Sequence, residues 1–162
     1  MDTPSVAETL GDPVTLDLIE RSPLMRLAYT GLDGAPRVVP VAYVVRGGTF
    51  VFCTVPTSDK VRSLQRDPRI AITIDIDLPP CCLLLRGTAE VQIVPGVPDE
   101  YLKASHRNVP AEHHGDFDAQ VRALYDSMAR IVVTPTWARL NDFRRTAPRA
   151  VERLVAAKSR PS

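Results

Sequence analysis

The sequence predicts a mainly β fold with peripheral helices, in which six or seven short antiparallel strands form a small barrel. Short apolar runs alternate with turn residues, and most of the 15 prolines lie between these runs. The first three predicted strands are joined by tight turns rather than by helices, which argues against a parallel sheet. A long apolar run from Cys81 to Val94 contains Gly87 near its middle, which is typical of a bulge that closes a barrel.

The N-terminal part of the chain predicts a tail followed by a helix. Residues 1–11 are polar and mixed, so we expect a flexible N-terminal tail. Asp12 and Pro13 suit the N-cap and the first position of a helix, which would bury Leu16 and Ile19.

Three strands are predicted next. The Asp33-Gly34 pair and the Gly47-Gly48 pair are hairpin turn signals between apolar runs. Strands joined by such turns form an antiparallel meander. The three predicted strands are Leu24–Thr30, Arg37–Val45 and Thr49–Val55.

The remaining elements follow from periodicity. Isoleucine recurs at every second position from Ile70 to Ile76, which predicts a strand with one buried face, and apolar residues elsewhere recur at helical spacing. The other predicted strands are Ile70–Ile76, Cys81–Val94, Arg130–Thr134 and Trp137–Phe143, the last being a separate strand or an irregular continuation. The predicted helices are Ser58–Asp67, Pro98–Arg107, a helix from Asp116 through Met128, and Ala147–Lys158.

Length and composition limit the classes of protein. A chain of 162 residues is expected to form one domain, here 12–145, followed by an amphipathic helix and tail at 146–162. The net charge of +1, with 24% charged residues, does not suggest nucleic-acid binding. The three cysteines lack the pattern of a disulfide framework or zinc site. No apolar run approaches the roughly 20 residues of a membrane span, and no leader opens the chain, so we expect a cytoplasmic protein.

A candidate anion site follows the third strand. A helix N-terminus carries free backbone N–H groups and the positive end of the helix dipole. Ser58, Lys60 and Arg62 add a hydroxyl and two cations, which together suit one phosphate monoester such as the tail of a nucleotide or flavin. The alternative is that Ser58 caps the helix and the charges are solvated.

No catalytic set of side chains is visible. His106, His113 and His114 cluster without further ligands at matching spacing, so we predict no metal site. A phosphate site without acid–base groups suits a cofactor that brings its own chemistry, such as a flavin. Trp137 could flank the ring of such a cofactor, or it could be a core or interface aromatic.

A series of motifs in this order resembles the pyridoxamine 5'-phosphate oxidase-like, FMN-binding split β-barrel family. The resemblance covers roughly residues 15–143, and the series is more specific than any one motif. The segments that carry it are Arg37–Val41, Phe52–Thr54, Ser58–Arg62, Arg66–Ala71, Leu85–Val91 and Arg130–Trp137.

The resemblance implies a split β-barrel homodimer with two flavin sites at the subunit interface. One strand would lie beside the isoalloxazine edge through its backbone, and polar side chains would hold the ribityl and phosphate oxygens. Trp137 would approach the site from the other subunit. The strand residues are Arg37, Val38, Val39, Pro40 and Val41. The polar residues are Thr54, Ser58, Lys60 and Arg62.

Two departures from the family pattern concern the substrate and cofactor. Where true pyridoxamine phosphate oxidases carry Ser-Arg-Lys, this chain has Ser58-Asp59-Lys60, so one phosphate-binding cation is replaced by an acid. In those oxidases an Arg-Leu-x-Asp-Arg motif before the late strand binds the phosphate of the vitamin. Residues 139–143 of this chain are similar to that motif, but they follow the late strand and lack the last arginine. We therefore do not expect pyridoxamine phosphate as the substrate. FMN is the favoured cofactor and the deazaflavin F-420 the alternative, whose acidic tail would need basic groups such as Arg37, Arg66 and Arg69.

Three functions remain open from the sequence. The first is a flavin-dependent oxidoreductase that transfers hydride to or from a small organic substrate. The second is a non-catalytic protein that binds flavin or haem. The third is an interaction module without a cofactor, in which Ser58 only caps a helix.

Overall fold

Seven strands form one antiparallel sheet in a computed structural model that describes residues 4–145 and 147–159. The strands are β1 (Leu24–Thr30), β2 (Pro36–Ala42), β3 (Val44–Arg46), β4 (Thr49–Thr54), β5 (Arg69–Ile76), β6 (Cys81–Pro95) and β7 (Ser127–Asp142). They lie in the order β2-β1-β5-β6-β7-β4-β3. The predicted mainly β class is confirmed.

Helices surround this sheet. They are α1 (Val6–Gly11), α2 (Pro13–Arg21), α3 (Asp59–Arg66), α4 (Asp99–His106), α5 (His114–Leu124) and α6 (Arg149–Lys158), with a short 3-10 turn at Ala111–His113. None of the helices in the described ranges is long and apolar enough to cross a membrane.

The main core lies on the inner face of the curled sheet. Alternate residues of the strands point inward, among them Leu27, Phe52, Ile74, Leu83 and Ile131. A smaller cluster forms where α4 and α5 pack on the sheet. Its buried members are Val97, Leu102, Val121 and Met128.

The predicted strand Arg37–Val45 is divided in two, because the chain changes edges of the sheet at Tyr43. Strand β2 pairs with β1 and lies at one edge, whereas β3 pairs with β4 and lies at the other. One residue separates β2 from β3, so the sheet must curl until its two edges meet. Both predicted hairpins are confirmed, since β1 pairs with β2 and β3 pairs with β4. No pairing joins β2 to β4 in the described residues, so the predicted three-strand meander is divided between the two edges of the sheet and the barrel is split.

The predicted bend at Gly87 is confirmed. The register between β6 and β7 shifts between Arg86 and Gly87, so that Gly87 lies opposite Pro135. A Cβ atom on Gly87 would come within 2.4 Å of the backbone oxygen of Thr134. Glycine is therefore required here by the close approach of the two backbones.

The prediction of a flexible segment at 1–11 is wrong for residues 6–11, which form α1. The Ser5 backbone N–H donates to the Glu8 carboxylate at 2.8 Å, and the Glu8 N–H donates to the Ser5 hydroxyl at 3.2 Å. This capping box starts the helix, and Thr9 is buried in the adjoining structure. Residues 1–3 lie outside the described ranges.

Two predicted faces of helices are also corrected. In α2, which begins with Asp12 as N-cap as predicted, Leu18 is buried and Leu16 is 55% exposed. Met128 lies in β7 rather than on the helix with Val121, because α5 ends at Leu124. Met128 packs against Val121 from the strand, so the helical spacing of the two residues was misleading.

The last strand and the last helix agree with the predictions in type. Strand β7 runs without a break from Ser127 to Asp142, so the second predicted late strand is a continuation of the first. Helix α6 forms within the predicted range, but its apolar residues Val151, Leu154 and Val155 are all exposed.

Gly87→Ala is expected to lower the free energy of unfolding by about 1–3 kcal/mol, because the new methyl group would overlap the β7 backbone. Urea unfolding followed by circular dichroism would measure the change. Gly115→Ala in α5 is the matched control, since nothing lies within 4 Å of its added Cβ. Equal stabilities of the two variants would contradict the proposed backbone contact.

Candidate functional site

A cleft of about 230 Å³ opens where the ends of two strands meet two helices. The end of β2 and the end of β4 form its floor, and α3 and α4 form its walls. Its lining residues are Val41, Ala42, Cys53, Thr54, Lys60, Tyr101, Ala104 and Ser105. Three residues predicted from the sequence, Val41, Thr54 and Lys60, are thus brought together here.

The start of α3 is positioned by burial on the other side of the helix. Val61 and Leu64 are each at most 2% exposed and fix the rotation of α3 against the sheet. Ser58 occupies the N-cap position, but its side chain makes no capping hydrogen bond. The simple capping role is therefore not observed. The half-buried Ser58 lies two positions before Lys60 but is not among the residues that line the cleft.

Lys60 is the cation that faces the cleft. It is half-buried and makes no ion pair within the described part of the chain. Arg62, by contrast, is 62% exposed and forms an ion pair with Asp59. Arg62 is not among the residues that line the cleft, so the structure separates the two cations that the sequence placed together.

A half-buried carboxylate on α4, next to the cleft residue Tyr101 in sequence, is paired with arginines. Glu100, at the start of α4, accepts a hydrogen bond from Arg130 at 3.0 Å and lies 3.7 Å from Arg46. Burial raises the pKa of Glu100. The hydrogen bond from its own backbone and the two arginines together lower that pKa by more than burial raises it, so the net shift is downward. The Glu100 charge is thereby held in this cluster and ties α4 to β3 and β7.

Cys53 lines the cleft as a neutral thiol. Burial raises its pKa to about 12, and the nearby Glu100 carboxylate adds to that effect. A thiol with this pKa is protonated near neutral pH and is a poor nucleophile. The cleft therefore offers hydrogen-bond donors and one ammonium, which suits binding of an anion rather than covalent catalysis.

Helix α4 supplies a wall that the sequence analysis did not include among the site residues. Tyr101, Ala104 and Ser105 share one face of the helix because they are three and four residues apart. The Tyr101 ring stacks on Phe117 with ring centroids 6.3 Å apart. In the sequence, only the spacing of these three residues within the predicted helix indicated that they share a face. That spacing could not show that this face would line the cleft.

The other end of α4 is anchored by Arg107. Its guanidinium donates to the backbone oxygens of Ile19, Glu20 and Ser22 at the end of α2. It also donates to the backbone oxygen of Tyr43 at 3.3 Å. Positive charge at a helix C-terminus is stabilising, so this contact holds α4 over the cleft.

The five strand residues predicted from the sequence lie on the free edge of the sheet. In an antiparallel pair, each residue directs either both backbone groups toward the neighbouring strand or neither. Pro40 has no N–H to donate to Arg26 opposite, so its position faces away from β1. Val38, two residues earlier, therefore also turns its N–H and C=O toward the free edge, and its side chain is 66% exposed. Val39 is half-buried and Arg37 is exposed.

Arg37 is already engaged in an ion pair. Its guanidinium lies 2.7 Å from the Asp33 carboxylate in the β1–β2 turn, and this hydrogen bond raises the pKa of Arg37. Arg37 lines a separate small cleft of about 170 Å³ that also includes Asp59 and Ser63. It does not line the Lys60 cleft.

Trp137 lies elsewhere on the same chain. It is on β7, with the guanidinium carbon of Arg86 4.3 Å from its ring centroid, and it lines a cleft of about 370 Å³ beside α1. Within one chain, the structure does not bring Trp137 to Lys60.

Two of the three histidines, His106 and His114, make side-chain contacts within the protein. The rings of His106 and His114 stack at 3.8 Å, and His106 Nε2 lies 2.7 Å from Asp118 Oδ1. His114 Nε2 lies 2.8 Å from the Val109 backbone oxygen. Within residues 4–145 and 147–159, no group of three or more His, Cys, Asp or Glu side chains is arranged to hold a metal ion.

Solved structures show where this fold occurs. A conserved hypothetical protein from Mycobacterium tuberculosis has 20% sequence identity and a TM-score of 0.61, covering 88% of this chain and 91% of that chain. A protein described as F420 reductase has 24% identity and a TM-score of 0.54, covering 76% and 94%. A haem-binding protein from Mycobacterium smegmatis has 23% identity and a TM-score of 0.55, covering 88% and 56%. These likenesses show a shared fold.

Sequence comparison gives the family. No curated protein sequence matches this chain. A family model described as pyridoxamine 5'-phosphate oxidase matches residues 12–142, which contain the whole sheet and both walls of the cleft. The protein therefore belongs to the pyridoxamine 5'-phosphate oxidase family, as the order of its motifs indicated.

Proposed function

We propose that the protein is a flavin-dependent oxidoreductase that transfers hydride to or from a small organic substrate, with FMN favoured over F-420. The observation that carries the proposal is the Lys60 cleft. An ammonium without an ion pair meets hydroxyl groups there, and among the described residues no carboxylate lines it. Such a donor set suits a phosphate group.

The size of the cleft indicates which part of the cofactor it would hold. Pockets that enclose a drug-sized ligand measure about 300–1,000 Å³, so a cleft of about 230 Å³ fits only part of a flavin. Lys60, Thr54 and the nearby Ser58 would hold the phosphate and ribityl oxygens. The ring would then lie outside, along the free edge of β2, where the Val38 backbone can bond to its polar atoms.

The second copy of the chain has a role in this proposal. Trp137 is remote from Lys60 within one chain, so a Trp137 beside the ring would come from the partner in a homodimer.

We also propose a reducing, cytoplasmic location, which is supported by the free thiols of Cys53, Cys81 and Cys82.

The protein's own part in the reaction would be binding and orientation. The Cys53 thiol is protonated, and no histidine or carboxylate from the described residues lines the cleft to serve as acid or base. A bound flavin supplies hydride transfer through its own ring. The side chains around it would fix its position and exclude water.

A substrate other than pyridoxamine phosphate is favoured by Asp142. In the segment that echoes the substrate-binding motif of the oxidases, this carboxylate is 3% exposed and accepts hydrogen bonds from Arg144. Arg145 lies 3.3 Å from it. These contacts give Asp142 a structural role, and they leave it poorly placed to contact a substrate.

The second candidate is a non-catalytic protein that stores or senses flavin or haem. The haem-binding protein with the same fold motivates this candidate. A haem site needs an axial ligand, commonly histidine or a thiolate. The cleft has neither among its described lining residues, because its cysteine is a protonated thiol. Tyrosine can also bind haem iron as a phenolate, but burial raises the pKa of Tyr101 and so disfavours that form. Flavin is therefore favoured over haem.

Lys60→Ala is expected to weaken FMN binding about ten- to hundredfold, since a charge-assisted contact to phosphate contributes roughly 1.5–3 kcal/mol. Quenching of flavin fluorescence during titration of the apoprotein would give the Kd. Arg62→Ala should change the Kd far less, because Arg62 is exposed and paired with Asp59. The same titration with F-420 would decide between the two cofactors.

Lys103→Ala is the matched control for this experiment. Lys103 is an exposed lysine of α4 that does not line the cleft, so its removal should leave the Kd unchanged. An unchanged Kd for Lys60→Ala with both cofactors would show that the phosphate does not bind in this cleft.

Turnover separates the enzyme from the binding protein. The reduced holoprotein is expected to be reoxidised by a quinone-type acceptor at a rate that saturates with acceptor concentration, because an enzyme binds its substrate next to the ring. Stopped-flow absorbance would follow the oxidised flavin. Reoxidation by oxygen alone, with no acceleration by any acceptor, would favour the binding protein.

A further inference from the structure

Helix α4 contributes two hydroxyl-bearing residues to the lining of the Lys60 cleft. Tyr101 and Ser105 are four residues apart and lie on the same face of the helix, one turn above the other. Between them in sequence lies Ala104, which is 3% exposed and whose small side chain keeps that wall of the cleft open. None of these residues belongs to the motifs that carry the family resemblance.

The Tyr101 side chain is held in place by aromatic neighbours outside the cleft. The Tyr101 ring stacks on Phe117 and meets the Tyr125 ring edge-on with centroids 6.2 Å apart. The Tyr101 phenol also interacts with the side chains of Tyr125 and Ser105. Burial raises the pKa of Tyr101, so its hydroxyl remains a neutral donor over a wide pH range.

The helix itself cannot move freely from the cleft. Glu100, one residue before Tyr101, is bound to Arg130 and lies near Arg46. Arg107, two residues after Ser105, is bound to the carbonyl groups at the end of α2. The hydroxyl donors are thus placed before a ligand arrives, which reduces the entropy lost on binding.

We propose that Tyr101 and Ser105 are phosphate ligands, so that α4 forms the second half of the cofactor's phosphate site opposite Thr54 and Lys60. This inference rests on the proposed function, because it names further residues of the same site. Four polar side chains would then surround a phosphate monoester, which has three free oxygens able to accept several hydrogen bonds each. The single O–H of Tyr101 would turn from Tyr125 to donate to one of these oxygens. The ring of the cofactor would make no contact with these two side chains.

The comparison of FMN with riboflavin tests this assignment, because the two ligands differ only in the phosphate. Ser105→Ala and Tyr101→Phe are each expected to weaken FMN binding about tenfold and to leave the Kd for riboflavin unchanged. The ratio of the two affinities is the decisive quantity, since a variant that merely loosens α4 would weaken both ligands together. Thermal unfolding would confirm that each variant is folded.

Ser127→Ala is the matched control, because it removes a half-buried serine hydroxyl that does not line the cleft, and its affinity ratio should equal that of the wild type. If Lys60→Ala weakens FMN binding while Ser105→Ala and Tyr101→Phe both retain the wild-type ratio, the role of α4 is refuted and the proposed function stands. If the wild type binds neither FMN nor F-420, the proposed function is refuted, and the assignment of Tyr101 and Ser105 is refuted with it.

Discussion

The single residue between β2 and β3 governs the architecture. Tyr43 joins strands at opposite edges of a seven-stranded sheet, and this short link is possible only if the sheet curls until those edges meet. Tyr43 is fully buried, and its hydroxyl donates to the Ser22 backbone oxygen at 3.0 Å. The curling places the end of β2 beside the end of β4, and the cleft forms at that junction. Arg107 binds the Tyr43 carbonyl group and so connects the same point to α4.

The distribution of ion pairs distinguishes Lys60 from three arginines of the structure. Each of these arginines forms an ion pair with a carboxylate: Arg37 with Asp33, Arg62 with Asp59, and Arg130 with Glu100. Lys60 has no such partner in the described part of the chain and faces the cleft. An anion bound in the cleft would supply the opposite charge that Lys60 lacks within the described part of the chain. The burial of Val61 and Leu64 ensures that Lys60 keeps this direction.

The accuracy of the predictions depended on how local each signal was. The hairpin turn at Asp33-Gly34, the helix start at Asp12-Pro13 and the bulge at Gly87 were read correctly, since each requires a particular backbone conformation within a few residues. The division of the predicted strand Arg37–Val45 at Tyr43 could not be predicted, because a continuous valine-rich run contains no sign that the chain changes edges of the sheet. Met128 was placed on the wrong element for a similar reason, because a buried strand residue beside a helix can imitate helical spacing.

The sequence by itself determined the family, the types of most elements and the motif that contains Thr54, Ser58 and Lys60. These depend on residue identity and order, and short-range sterics and periodicity link them directly to structure. Only the tertiary structure decided that Lys60 rather than Arg62 faces the cleft, that Trp137 lies far from it in one chain, and that α4 closes it. The directions of those side chains depend on packing between elements distant in the chain, and such packing leaves no local pattern in the sequence.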